Sequence, residues 1–217
     1  MKIRQIVIGA LLIALTAVLT IAVRIPIVGT GGYLNLGDTI IFISGLLFGP
    51  LMGMIAGGIG SALADLYGFP AFAPLTLIVK GLEGLVVGAI FSATKKALNK
   101  GSGVAMAVVS TAVGGAVMIT GYFLGEAIMF GLLAAAGGAG GGVAEGTPIV
   151  GYLIKTFEIP SDVQAPATYG LTKAATEIPF NIIQAAGSII LGVAATVALA
   201  RAGLQRYWKA TSVSSNG

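Results

Sequence analysis

The side chains able to do chemistry in this sequence are few, and they stand at helical spacings inside apolar runs. Lys80 and Glu83 are three residues apart, the spacing of an ion pair on one helix face. Tyr122 and Glu126 are four apart, and Glu177, Asn181 and Gln184 follow at i, i+4 and i+7, which puts all three on one stripe. Asn35 and Asp38 precede one apolar run, and Asp65 with Tyr67 closes another. An ionisable or amide group in hydrocarbon is costly unless it is paired or faces water. The pattern therefore predicts convergence on a cavity lined by amides and both signs of charge, bordered by Tyr67, Phe69 and Phe72. Such a lining suits a small polar molecule with an aromatic ring. The blander alternative is that Lys80 and Glu83 only neutralise each other, while Asn181 and Gln184 bond between helices.

Several chemistries are excluded. The chain contains neither cysteine nor histidine, so it has no disulfide, no thiolate or imidazole nucleophile or base, and no ordinary zinc set. There is no G-x-S-x-G elbow, H-E-x-x-H motif or phosphate-binding G-x-x-x-x-G-K-[ST] loop. The glycine run from Gly137 to Gly142 lacks the lysine and the strand-to-helix setting of a phosphate loop. No catalytic residue, cofactor or metal is expected, and concentrating a solute would draw energy from an ion gradient or a partner.

The elements that hold these groups are transmembrane helices. With 56% hydrophobic and 9% charged residues, a surface in water could not be solvated, so lipid is the solvent. The expected fold is an all-α integral membrane protein with six helices over about 5–23, 38–48, 51–66, 74–98, 103–134 and 169–200. Gly49-Pro50 divides one long apolar region into the second and third helices. Gly53, Gly57, Gly60 and Ala64 give the third a small-residue face for close packing. A long outer loop near 135–168, with room for an interfacial helix, separates the last two, and a disordered tail over 210–217 follows a single domain of residues 1–209. The first apolar run leads into Arg24-Ile25-Pro26 rather than a cleavage site, so it reads as a retained helix.

Charge sets the orientation. Lys2, Arg4, Lys95, Lys96, Lys100, Arg201, Arg206 and Lys209 fall on one side of a six-span topology with no acid among them. Basic loops stay in the cytoplasm, so both termini are expected there, and the formal net charge of +4 reports topology and contact with anionic lipid, not nucleic acid.

The strings Tyr33-Leu34-Asn35-Leu36-Gly37-Asp38, Leu46-Leu47-Phe48-Gly49-Pro50, Gly58-Ile59-Gly60-Ser61-Ala62-Leu63-Ala64-Asp65 and Lys80-Gly81-Leu82-Glu83-Gly84 resemble the substrate-binding S components of energy-coupling factor (ECF) vitamin transporters, most closely the riboflavin-type branch. Gly121-Tyr122-Phe123-Leu124-Gly125-Glu126 and Glu177-Ile178-Pro179-Phe180-Asn181-Ile182-Ile183-Gln184 carry the resemblance into the last two helices. It implies a vitamin-binding subunit of a prokaryotic cell membrane, working with a transmembrane coupling subunit and two ATPases. In the family the S component takes its ligand from outside and topples in the membrane to release it. The family's A-x-x-x-A docking motif is matched by Ala10 and Ala14, whose spacing permits close helix approach. The loop from about 127 to 168 looks longer than the family's.

The resemblance leaves riboflavin, a pyridoxine-like compound and a hydroxymethylpyrimidine-like compound open as ligands. Lys80 and Glu83 are expected to form the polar floor, Asn181 and Gln184 hydrogen-bonding walls, and Asn35 with the loop to Asp38 a gate. Two rival functions are a stand-alone ion-coupled transporter using Lys80, Glu83, Glu126 and Glu177, and a membrane enzyme acting on lipid, for which the required acidic metal motifs are missing.

Overall fold

The structure, a computed structural model, describes residues 3–27, 32–94, 98, 100–138 and 147–203. Its helices are α1 (Ile3–Ala22), α2 (Gly37–Phe48), α3 (Pro50–Gly68), α4 (Ala73–Ala93), α5 (Gly101–Gly138), α6 (Pro148–Thr156), α7 (Pro166–Ala175) and α8 (Ile178–Arg201), with a short hairpin of β1 (Ile25–Pro26) and β2 (Tyr33–Leu34). Ile25 pairs with Leu34 and Pro26 with Tyr33 in antiparallel register. Lys95, Lys96, the glycine run beyond Gly138, Arg206, Lys209 and the tail over 210–217 lie outside the described residues.

Among the described residues, five apolar segments are long enough to cross a bilayer: Ile3–Ala22, Pro50–Gly68, Ala73–Ala93, Gly101–Gly137 and Pro166–Arg201. The molecule is thus a mostly helical membrane protein. At 12 residues, α2 is about 18 Å long against a hydrocarbon core of about 30 Å. Asp38, Thr39, Ile41, Phe42, Ile43, Ser44, Leu46 and Leu47 are all buried, which makes it an interior helix surrounded by protein.

The breaks between helices have identifiable causes. Gly49 sits at φ +90°, ψ −177°, a conformation that L side chains rarely adopt, and Pro50 opens α3 where a missing N–H costs nothing. Residues 169–200, expected as one helix, are divided into α7 and α8 at Thr176 and Glu177. Pro179 explains the break, because its ring clashes with the carbonyl four residues back and it cannot donate to it. The stretch expected as a loop near 135–168 carries the end of α5, all of α6 and the start of α7.

The chain forms two compact units. The first comprises the described residues of Met1–Arg24, Asn35–Met118 and Ile183–Gly217; the second comprises those of Ile25–Leu34 and Ile119–Ile182. In the first, α2, α3 and α4 meet along glycines. A Cβ added to Gly53 would stand 2.8 Å from the Gly84 carbonyl carbon and 3.0 Å from the Gly45 Cα. The α3–α4 seam thus brings backbone against backbone, which apolar solvent cannot drive but tight dispersion contact can. Phe42, Leu46, Leu47, Val87, Phe91 and Val193 pack into its core. Arg24 ends α1's extension by donating from Nη2 to the Ala64 carbonyl at 3.0 Å, with its guanidinium 5.1 Å from the centre of the Phe69 ring.

In the second unit, Gly170 of α7 meets the backbone of Ala127 and Gly131 on α5. Phe157, just beyond α6, packs edge-on against Phe130 at 5.4 Å, and the Lys173 ammonium lies 6.0 Å from the Phe130 ring centre.

Candidate functional site

In the first unit, polar groups from four segments form one network. Asp38 stands in the first turn of α2, where a negative charge complements the helix dipole. Its Oδ1 takes the Lys80 ammonium of α4 at 2.5 Å, and its Oδ2 accepts from the Gln184 amide nitrogen of α8 at 2.9 Å. The Gln184 amide oxygen accepts from the Asn35 backbone N–H at 2.8 Å and from the Asn35 side-chain amide at 3.2 Å. Asn35 Oδ1 in turn accepts from the Gly37 N–H at 2.8 Å, a local turn that supplies the α2 entry with the acceptor Leu36 does not offer. The network runs from the chain before α2, through α8 and α2, to α4.

Lys80 also lies 3.1 Å from Glu83 Oε2, as expected for their spacing. Both residues and Asp38 are almost wholly buried. Although the Lys80 and Glu83 charges are close enough to pair, neither Glu83 oxygen receives a hydrogen bond, so the contact is ionic without an aligned donor. The cluster contains two carboxylates and one ammonium, an excess of acceptors over donors.

Backbone packing fixes this network. A Cβ on Gly57 would run into the Lys80 carbonyl, one on Gly114 of α5 would lie 3.3 Å from the Glu83 carbonyl, and one on Gly37 would collide with Thr20 Oγ1 of α1. These three glycines and Thr20 were not among the sequence's candidate residues. Only the small-residue spacing around Gly57 signals such packing; the approaches at Gly37 and Gly114 are between segments distant in sequence and leave no local mark.

In the second unit, Glu126 of α5 and Glu177, between α7 and α8, lie close enough for their carboxyl groups to interact, and both are buried. Gly32, next to β2, lies so close to the Glu177 carboxylate that a Cβ there would force the carboxylate or the backbone to shift. Tyr122, one turn before Glu126, is half-buried, and Asn181 is buried with its backbone N–H donating to the Glu177 carbonyl at 2.9 Å.

The remaining candidates differ in kind. Asp65 is buried on the last turn of α3, whereas Tyr67, two residues on, is 78% exposed. Asp38 is part of the ion network, and Gln184 has both ends of its amide bonded within the protein. On α1, Ala10 and Ala14 are exposed on the face away from buried Gly9, Leu12 and Thr16. Among the described residues, no three acidic side chains gather as a metal site would require.

Helices that hold a charged, hydrogen-bonded cluster in the interior define a membrane protein with a polar core. The family model of the ECF-type riboflavin transporter, S component, matches residues 1–146. The chain belongs to that family, whose members are vitamin-uptake S components of the membrane. It is also similar to a protein of Pyrococcus woesei described as an uncharacterised protein in the gap 3′ region, with 44% identity over 128 residues, which is 59% of this chain and 77% of that one.

Proposed function

We propose that this chain binds riboflavin from outside the cell with high affinity and delivers it inward as the S component of an ECF-type ABC transporter. Family membership over residues 1–146 carries the reading. The buried Asp38–Lys80–Glu83 cluster supports it, because ionic groups so costly to bury are retained in membranes for function. Lys80 and Glu83 form the polar floor, Asn35, Asp38 and Gln184 hold it in place, and Asp65, Tyr67, Tyr122, Glu126, Glu177 and Asn181 belong to the recognition surfaces of their own units. ATP hydrolysis is the work of two partner ATPases, reached through a transmembrane coupling subunit that docks on Ala10 and Ala14.

The chain crosses the cell membrane six times, with α2 as the short span and both termini cytoplasmic. The basic residues Arg4, Lys100 and Arg201 near helix ends support that orientation. Pyridoxine-like and hydroxymethylpyrimidine-like compounds are the competing cargoes.

The buried Glu126–Glu177 pair favours one second reading, a stand-alone ion-coupled carrier, since paired carboxyls are what a proton path uses. Riboflavin uptake into cells with and without the ATPase partners separates the two. Uptake that vanishes without them and survives an ionophore supports the S component; uptake that needs no ATPase and collapses with the ionophore overturns it.

A further inference from the structure

Within the first unit's network, most hydrogen-bonding capacity is already consumed. Asp38 has one oxygen on Lys80 and the other on Gln184; Gln184 spends its nitrogen on Asp38 and its oxygen on Asn35; Asn35 spends its oxygen on Gly37. Glu83 is the exception, because it is fully buried and neither carboxylate oxygen receives a hydrogen bond. Removing a carboxylate from water with no well-aligned donor is among the more costly states in a protein interior. The neighbouring ammonium offsets charge, but it is shared with Asp38 at the shorter distance of 2.5 Å against 3.1 Å. Beside Glu83, α5 presents Gly114, where the Val87 side chain already fills the place of a Cβ, so this position of α5 supplies no donor to Glu83.

We infer that Glu83 is the specificity-determining acceptor of this site, reading an N–H or O–H donor of the ligand, while Asp38, Gln184 and Asn35 are positioning residues that keep Lys80 and the Glu83 carboxylate in place. The inference rests on the riboflavin-binding reading and adds the ligand's chemistry to it. The group met by Glu83 is a neutral or cationic donor, not an anion, because the cluster's own acids outnumber its ammonium. In riboflavin the donors are the imide N–H of the ring and the hydroxyls of the ribityl chain. A charge-assisted hydrogen bond to one of them accounts for about a ten- to hundredfold share of affinity.

The test titrates riboflavin, 3-methylriboflavin, which lacks the imide N–H, and lumiflavin, which lacks the ribityl hydroxyls, onto the purified full chain in detergent. Wild type is compared with Glu83→Gln and Glu83→Met, and size-exclusion profiles confirm which variants are folded. The expected result is that one analogue binds wild type at least about tenfold more weakly than riboflavin, and that its penalty falls to about threefold or less in the variant without the carboxylate. Should Glu83→Met fail to fold, Glu83→Gln reads the same cycle, because a neutral amide oxygen accepts more weakly. Unchanged penalties for both analogues in a folded variant, with riboflavin still bound by wild type, would overturn the role of Glu83 and leave the cargo standing. Failure of folded wild type to bind riboflavin would overturn both.

Discussion

Lys80 and Asp38 are 42 residues apart in sequence and 2.5 Å apart in space, joined as a buried ion pair between α4 and α2. Their relationship sets the expected order of three substitutions. Lys80→Met strands two buried carboxylates and is expected to cost about 3–5 kcal/mol, the range for breaking a buried pair from one side. Asp38→Asn leaves Lys80 with Glu83 and is expected to cost less. Glu83→Gln leaves one ammonium with one carboxylate and is expected to be the mildest. Thermal melting of the purified protein measures the order, and a Lys80→Met protein as stable as Glu83→Gln would contradict it.

The glycine seam between α3 and α4 has no room for a methyl group. Gly53→Ala and Gly84→Ala each place a Cβ against backbone, which cannot swing aside, so each is expected to destabilise by about 1–3 kcal/mol. Gly101→Ala, whose Cβ would meet nothing within 4 Å, is the control, and equal melting of all three would argue against the seam.

How much of this was legible in the sequence depends on how local the cause is. The Gly49–Pro50 break and the Lys80–Glu83 pairing follow from neighbouring residues, and both are visible as dipeptide and i,i+3 signals. The division at Thr176–Glu177 was also written locally, in Pro179, but the apolar run on both sides masks it. The partner of Asp38 was not legible, since nothing near residue 38 indicates Lys80 or Gln184; only the packing of α2 inside the first unit decides it. For the same reason the sequence does not show that both ends of the Gln184 amide are bonded to the protein.

Arg24 and Gly68 form a dependent pair. The Arg24 guanidinium occupies the place that a Gly68 side chain would take, while Nη2 satisfies the Ala64 carbonyl near the end of α3. Arg24→Ala is expected to cost about 0.5–1.5 kcal/mol, the net value of one such hydrogen bond. Gly68→Ala pushes the same guanidinium away, so the double variant is expected to melt close to Arg24→Ala alone. Fully additive losses in a double-mutant cycle would show that the two positions act separately.

Gly32 bears on Glu177 within the second unit. Gly32→Ala forces the carboxylate or the hairpin to shift, and riboflavin affinity is expected to fall while α-helix content by circular dichroism is retained. Unaltered affinity would place this contact outside the binding function.

Ala10 and Ala14 provide a test of docking that is separate from ligand recognition. Replacing each with Leu on the exposed face of α1 is expected to prevent co-purification with the coupling subunit and ATPases, with riboflavin affinity in detergent nearly unchanged. An intact complex would remove α1 from the docking face.

Titration of riboflavin onto the solitary purified chain, followed by quenching of the flavin's own fluorescence, tests the central claim most directly. The account predicts saturable binding at one site per chain with nanomolar affinity and no need of ATP or partner subunits. No saturable binding by protein that is folded and freed of co-purified ligand would contradict it.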